Sequence, residues 1–339
     1  MNKQEFLDAL QGGLSGLPKE DLQRILDFYS EIIDDCVEDG LSQEEAVATL
    51  GSVDEILASL QTESPHHTAS QPQTQTITGP SAVTQVRQPF SSMSITASDC
   101  TIRLFPATDG VCRVSYRHPS QVGLSISVDQ DTLTIRQQDK RSWLERLRGS
   151  WGGGEIELYL PGTLYQNLSI HTANGSVEIP NTFTFYHTRL HVVSGSVHCS
   201  CGVKKRLELK AVSGKLWVEG QNSPDLQLWV KTISGCITLR DILCDSLTVI
   251  STSGATDVTA LVATSSLCVT SVSGKVLLTD CDAGSLELKT ISGKVSARLR
   301  TPKVFSTHTV SGRVSVPSCP SGAPCSITTT SGSITCTIQ

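Results

Sequence analysis

Leu207-Glu208-Leu209-Lys210-Ala211-Val212-Ser213-Gly214-Lys215-Leu216-Trp217-Val218 is followed, twenty-one residues on, by Leu228-Trp229-Val230-Lys231-Thr232-Ile233-Ser234-Gly235-Cys236-Ile237-Thr238-Leu239. In both stretches apolar residues alternate up to a Ser-Gly dipeptide and alternate again beyond it. Alternation of period two on either side of a break is the pattern of two half-buried strands joined at a corner. The dipeptide recurs, once as Asn-Gly, with glycines at Gly175, Gly195, Gly214, Gly235, Gly254, Gly274, Gly293, Gly312 and Gly332, 19 to 21 residues apart. So regular a spacing is the signature of a repeat architecture.

Aligning the chain on these glycines exposes four apolar columns. Two residues after the glycine stand Val177, Val197, Leu216, Ile237, Thr256, Val276, Val295, Val314 and Ile334; four after it run Ile179 to Cys336. Five before it run Ile170 to Ile327, and seven before it Leu168 to Phe305. A single coil cannot bury such a row, but stacked coils can. The fold class expected is therefore mainly β: a single-stranded parallel β-solenoid of about nine 19–21-residue coils, roughly 40 to 45 Å long at ~4.8 Å per coil. The general preference of parallel crossovers makes it right-handed. Each glycine is expected to turn its corner with φ > 0, and the neighbouring serines to hydrogen-bond from coil to coil.

The regular coils cover 166–339. Residues 81–165 carry strand patterns outside the strict repeat and are expected to form an irregular cap. Residues 1–62 read as a small all-α domain. Phe6, Leu7 and Leu10 share one helical face, Pro18 opens a second helix, and Ser42-Gln43-Glu44-Glu45 and Ser52-Val53-Asp54-Glu55 are capping boxes. The polar, proline-containing stretch 63–80 reads as a linker.

The net charge of −6 hides an asymmetry. Residues 1–63 carry 15 acidic and three basic side chains, whereas the rest of the chain is net basic. An acidic head argues against nucleic acid as a partner, because phosphate contacts need lysine and arginine. No stretch reaches the ~20 apolar residues of a membrane span. The opening Asn2-Lys3-Gln4-Glu5 runs into an amphipathic helix rather than an export signal. The twelve cysteines are then expected to be reduced thiols, and the location cytoplasmic, peripheral to a membrane at most.

Both halves resemble known families. Asn2-Lys3-Gln4-Glu5-Phe6-Leu7, Leu17-Pro18, Ile25-Leu26-Asp27-Phe28-Tyr29 and Glu44-Glu45-Ala46-Val47-Ala48-Thr49-Leu50-Gly51-Ser52 resemble the HAAS helical signalling domain. The Ser-Gly coils, with Ala97-Ser98-Asp99-Cys100-Thr101-Ile102 leading into them, resemble the bacterial "putative adhesin" β-solenoid domain of unknown function. The first resemblance implies a link to a PadR-type regulator pathway. Many HAAS proteins continue into transmembrane helices, a pattern this chain does not follow. Neither resemblance supplies catalytic residues.

Candidate sites follow from outward positions. One residue after the glycine, Lys215, Lys275, Lys294 and Arg313 share a column. Four before it stand His171, His191, Lys210 and Lys231, with Lys289 and His308 further along. Together they predict a cationic strip for an anionic polymer or membrane surface, partly offset by Glu208 and Glu287. Trp143, Leu144, Leu147 and Trp151, among Lys140, Arg141, Arg146 and Arg148, have the composition of a membrane or partner contact. Cys199-Ser200-Cys201 with His198, and His66-His67, fall short of a zinc pattern, because in a strand His198 points away from the two cysteines. No metal and no cofactor is expected.

Acids such as Glu219, Asp225, Asp241 and Asp257 form no column, and no catalytic motif is present, so acid–base work finds no paired carboxylates. The function expected is non-enzymatic binding or scaffolding, in envelope-linked regulation. A surface adhesin or carbohydrate-binding module is the alternative, and a glycan-active enzyme the third reading. The final coil, 327–339, is expected to leave an open sheet edge for end-to-end homodimerisation.

Overall fold

The computed structural model describes residues 2–13, 26, 30, 43, 44, 47, 53, 75–77, 81–118, 122–138 and 153–339. The chain divides into two compact units, Met1–Gln71 and Pro72–Gln339. In the first, Lys3–Gly13 is a helix that buries Phe6 and Leu10. It starts at Asn2, whose side chain accepts from the Glu5 amide (2.9 Å) while Glu5 accepts from the Asn2 amide (3.0 Å), a reciprocal cap of the first turn. Positions 26, 30, 43, 44, 47 and 53 are also helical.

The second unit is the solenoid. Parallel pairing joins Leu190 to Leu209, Leu209 to Val230 and Val249 to Val269, so the columns read from the sequence stand in register. Their residues form one continuous core from Met93 to Cys336. Each coil has a third side that alignment on the glycines does not show. It turns at Gly220, Asp241, Ala260 and Asp280, all with φ between +52° and +69°. From there it buries short rows such as Ile242 and Cys244, Leu261 and Ala263, and Cys281 and Ala283.

The corner glycines only partly follow the expectation of positive φ. Gly175, Gly195, Gly214 and Gly254 adopt it; the other five corner glycines do not. What all share is proximity to the coil below. A Cβ on Gly214 would lie 1.7 Å from the Gly195 carbonyl oxygen, and one on Gly235 would lie 2.4 Å from that of Gly214. The corner serines reach down to backbone rather than to each other, as Ser253 Oγ donates to the Ile233 carbonyl (3.3 Å).

Both ends of the stack depart from chain order. At the first end, Ser92–Ala97 and Cys100–Pro106 make a layer beneath the coil of Gly175. Thr132–Gln138 and Gly154–Leu160 lie outside that layer. Antiparallel Cys112–Arg117 and Gly123–Asp129 continue the sheet outward, and Ser81–Val86 and Gln75–Ile77 complete it. Residues 75–77, assigned to the linker by composition, thus belong to the sheet.

At the far end, Leu286–Thr290 pairs with Ala323–Ser331, which pairs in turn with Lys303–Ser311. Val295–Leu299 likewise pairs with Ile334–Ile338, and that with Val314–Ser315. The last coil in sequence is therefore inserted between the two coils that precede it. This corrects the expected open edge at 327–339: the edge that a second copy would meet is that of 303–315. It also explains why Phe305, Thr307, Val314 and Val316, assigned to the core by periodicity, are only partly covered or exposed.

Lys303 closes this end. Its side chain is 2 % exposed, and Nζ donates to Asp282 Oδ1 (2.5 Å) and the Ala283 carbonyl (2.8 Å). Burial raises the Asp282 carboxyl, but Lys303 and the Thr301 hydroxyl more than offset that, so it titrates below the ordinary 3.8. A carboxylate with a lowered folded value stabilises the fold above its unfolded value and loses that contribution as pH falls through the folded one. Lys303→Met should cost about 1–3 kcal/mol at neutral pH, because it strands a half-buried carboxylate and a carbonyl. Melts of the two proteins should draw together as pH falls below 3.8.

Candidate binding face

Alternation up to the first corner points the residues five before each glycine inward and those four and two before it outward. The outward position nearest the corner is aliphatic in most coils: Val193, Val212, Ile233, Val272, Ile291 and Val310 are 37 to 74 % exposed. Thr252 and Thr330 fill the same column. Exposed aliphatic residues are ordinary when scattered. Here Val193, Val212 and Ile233 stand on successive coils, as do Val272 and Ile291, about 4.8 Å apart, in an apolar ridge that Thr252 and Thr330 interrupt.

Cations flank the ridge on both sides. Four residues before the glycine, His171, His191, Lys210 and Lys231 occupy adjacent coils. The imidazoles of His171 and His191 meet edge to face at 4.7 Å. Burial, then His171 and Lys210, lower the His191 imidazole below the usual 6.5, so it is neutral at pH 7. Lys210 is engaged, bound to Glu208 at 3.0 Å and lying 5.2 Å from the Trp229 ring. Burial raises the Glu208 carboxyl, but Lys210, Arg189 and Arg206 outweigh it and hold it ionised.

One residue beyond the glycine, Lys275 and Lys294 are neighbours in the stack, since the Val276 amide donates to the Lys294 carbonyl (2.9 Å). Arg313 is not the next cation, as sequence order implied: inserting the last coil places Ser333 between them, its carbonyl accepting from Val295 and the Ile334 amide donating to Arg313 (2.9 Å). Lys215 stands apart, with Cys236 and Ala255 between it and Lys275. Among the described residues, Lys215, Lys231, Lys275, Lys294 and Arg313 form no ion pair, which leaves five free cations beside the ridge. Trp143, Leu144, Leu147 and Trp151 lie outside the described residues, as do His66 and His67.

Elsewhere the chemistry is quiet. A cleft of about 440 Å³ is lined by Arg103, Phe105, Glu178, His198, Ser200 and Glu219. Its acids are committed: Glu178 accepts from Arg103 (2.9 Å), and Glu219 from the Trp217 indole (2.9 Å) and Ser200 (3.1 Å). The Trp217 bond foremost holds the Glu219 carboxyl below its usual value, the opposite of what a general acid needs. Cys199 and Cys201 are fully buried, 3.5 Å apart, while His198 turns outward to Glu219. Burial pushes the thiols of Cys112, Cys244 and Cys325 up to about 12, so they fill space as small apolar groups. No helix among the described residues is long and apolar enough to cross a membrane.

The sequence reading missed the ridge, although its signal is there. Val or Ile recurs immediately before the Ser-Gly dipeptide, at a position that alternation turns outward although the residue type is that of the core.

No curated protein matches the chain. Among solved structures, a "putative adhesin" of Bacteroides fragilis is 12% identical and covers 76% of this chain and 97% of its own, with a TM-score of 0.39. A "putative lipid binding protein" of Parabacteroides distasonis is 15% identical, covers 77% and 96%, and has a TM-score of 0.35. The HAAS family model matches residues 5–59, and the Toastrack DUF4097 model matches residues 90–337. Neither family description names a reaction. With that match running from the first parallel layer to the last strand, the chain belongs to the Toastrack DUF4097 family and carries a HAAS segment at its N-terminus.

Proposed function

We propose that the protein is a non-enzymatic binding rod that lays the first-corner face of its solenoid on an anionic lipid surface. The observation that carries this reading is the exposed aliphatic ridge, with free Lys231 on one side and free Lys215, Lys275, Lys294 and Arg313 on the other. A soluble polyanion would use the cations alone. An apolar line with lysines on both sides matches the boundary between headgroups and acyl chains. Contact is peripheral and additive: several weak apolar insertions join several screened charges of about 1 kcal/mol each. In this reading the acidic HAAS unit is the signalling half, reporting to a PadR-type regulator pathway from the cytoplasmic side.

The full chain should sediment with vesicles of phosphatidylglycerol and phosphatidylcholine, and far less with phosphatidylcholine alone. Replacing Val212, Ile233 and Val272 together by threonine keeps β-branched side chains at exposed strand positions, so the coils still form. It should lower partitioning by about tenfold or more. Lys275→Glu with Lys294→Glu and Arg313→Glu should do the same and remove most of the salt dependence. Undiminished binding by both folded variants would exclude this face as the lipid contact.

A further inference from the structure

We propose that Asp99, Cys100 and His118 form a binding site for a borderline divalent metal ion of the Zn²⁺ type, at the end of the solenoid remote from the swapped coils. The three residues arrive from two segments of the chain. Asp99 and Cys100 form the corner that opens Cys100–Pro106, and His118 directly follows Cys112–Arg117. Gly154–Leu160 lies between and pairs with both strands. The carboxylate, thiol and imidazole donor atoms all lie within 4.8 Å of one another, and Asp99 Oδ1 stands 3.2 Å from His118 Nε2. A tetrahedral zinc ion holds its donors about 3.5 Å apart, so only a small contraction around the ion is needed.

Three further features suit such a site. Gly154 faces the cluster with no side chain; a Cβ there would lie 2.4 Å from His118 Cδ2 and 2.7 Å from Cys100 Sγ. Thiol and imidazole can approach each other only because the strand between them carries hydrogen at that point. Gln137 orients the carboxylate, its Nε2 donating to Asp99 Oδ1 (2.6 Å) while its Oε1 accepts from the Ser98 amide (2.7 Å). A hydrogen-bonded partner behind a ligating group is the usual means of fixing its direction. The Cys100 and His118 side chains are fully buried, and Asp99 is 23 % exposed, so the third donor faces the side from which an ion and its remaining water would come.

The donor set is chemically mixed, with one sulfur, one nitrogen and one oxygen. That combination suits Zn²⁺, Co²⁺ or a similar ion and disfavours Ca²⁺ and Mg²⁺, which take oxygen alone. Coordination takes the sulfur as thiolate, so each ion bound releases the Cys100 thiol proton to solvent. The bound ion ties the antiparallel cap to the first parallel layer, which makes its role one of stapling the end of the rod.

Co²⁺ added to the full chain under reducing conditions should bind stoichiometrically. It should give a near-ultraviolet sulfur-to-cobalt band together with the visible bands of a tetrahedral ion. Cys100→Ala should abolish the sulfur band, whereas Cys199→Ala with Cys201→Ala should leave it unchanged. Gln137→Ala should weaken Co²⁺ binding about 10- to 100-fold without removing the band. Should Cys100→Ala not fold, Asp99→Asn at the partly exposed position serves in its place, with a comparable weakening, and Zn²⁺ should raise the melting temperature of the unmodified chain. Absence of a sulfur band in the unmodified chain would overturn the proposal. So would a band lost on replacing Cys199 and Cys201 and retained without Cys100. Vesicle binding is independent of either result.

Discussion

Gly214→Ala is expected to destabilise the solenoid by about 4 kcal/mol or more, among the largest losses a single added methyl group produces. Two costs combine. Gly214 has φ +127°, where a side chain is strained by roughly 1–3 kcal/mol. The new Cβ would also sit 1.7 Å from the Gly195 carbonyl oxygen, which is backbone and already part of the ladder. The coils must move apart, and a solenoid holds together by its nearest-neighbour interfaces. Denaturation should show a lowered midpoint. Hydrogen exchange should show lost protection centred on the coils of Gly195, Gly214 and Gly235, with the end layers less affected. Gly162→Ala, where nothing lies within 4 Å of the added group, should stay within about 0.5 kcal/mol of the unmodified chain. Equal effects at the two positions would mean that the corner is not packed as described.

The second large effect tests the swapped order at the far end. Ile334 is fully buried, because its coil lies between those of Val295 and Val314. Ile334→Ala should therefore cost about 2–5 kcal/mol, the range for truncating a buried aliphatic residue. Val314, in the preceding coil, is 39 % exposed, and Val314→Ala should cost under about 1 kcal/mol. Coils stacked in chain order would give the reverse, with Val314 interior and Ile334 at the open end. Comparing the two midpoints decides between these arrangements without a new structure.

Part of the proposed face was legible in the sequence. Its cations follow from the same alternation that defines the inward columns. Two things were not legible. The ridge did not stand out because Val212 and Ile233 are apolar residues at positions that alternation turns outward, so hydrophobicity and register point to opposite faces. The neighbours of Arg313 depend on which coil touches which, and the insertion of Ser333 leaves no trace in the spacing of the glycines. The cluster of Asp99, Cys100 and His118 was invisible for a different reason. It belongs to the irregular layers, His118 comes from a segment 18 residues beyond Cys100, and no period relates the two.

What this sequence determined by itself is the coil: its length, its inward columns, its glycine corner and the parallel register of one copy on the next. Those follow from local geometry repeated nine times, since side chains alternate along a strand and only hydrogen fits where one carbonyl meets the next corner. What tertiary structure alone decided is the order of layers at both ends, the third side of each coil, and which charges stand next to each other. Similar coils present nearly equal faces to any neighbour. The choice among neighbours therefore rests on loop reach and end packing, such as Lys303 on Asp282 and Ala283, rather than on the repeat.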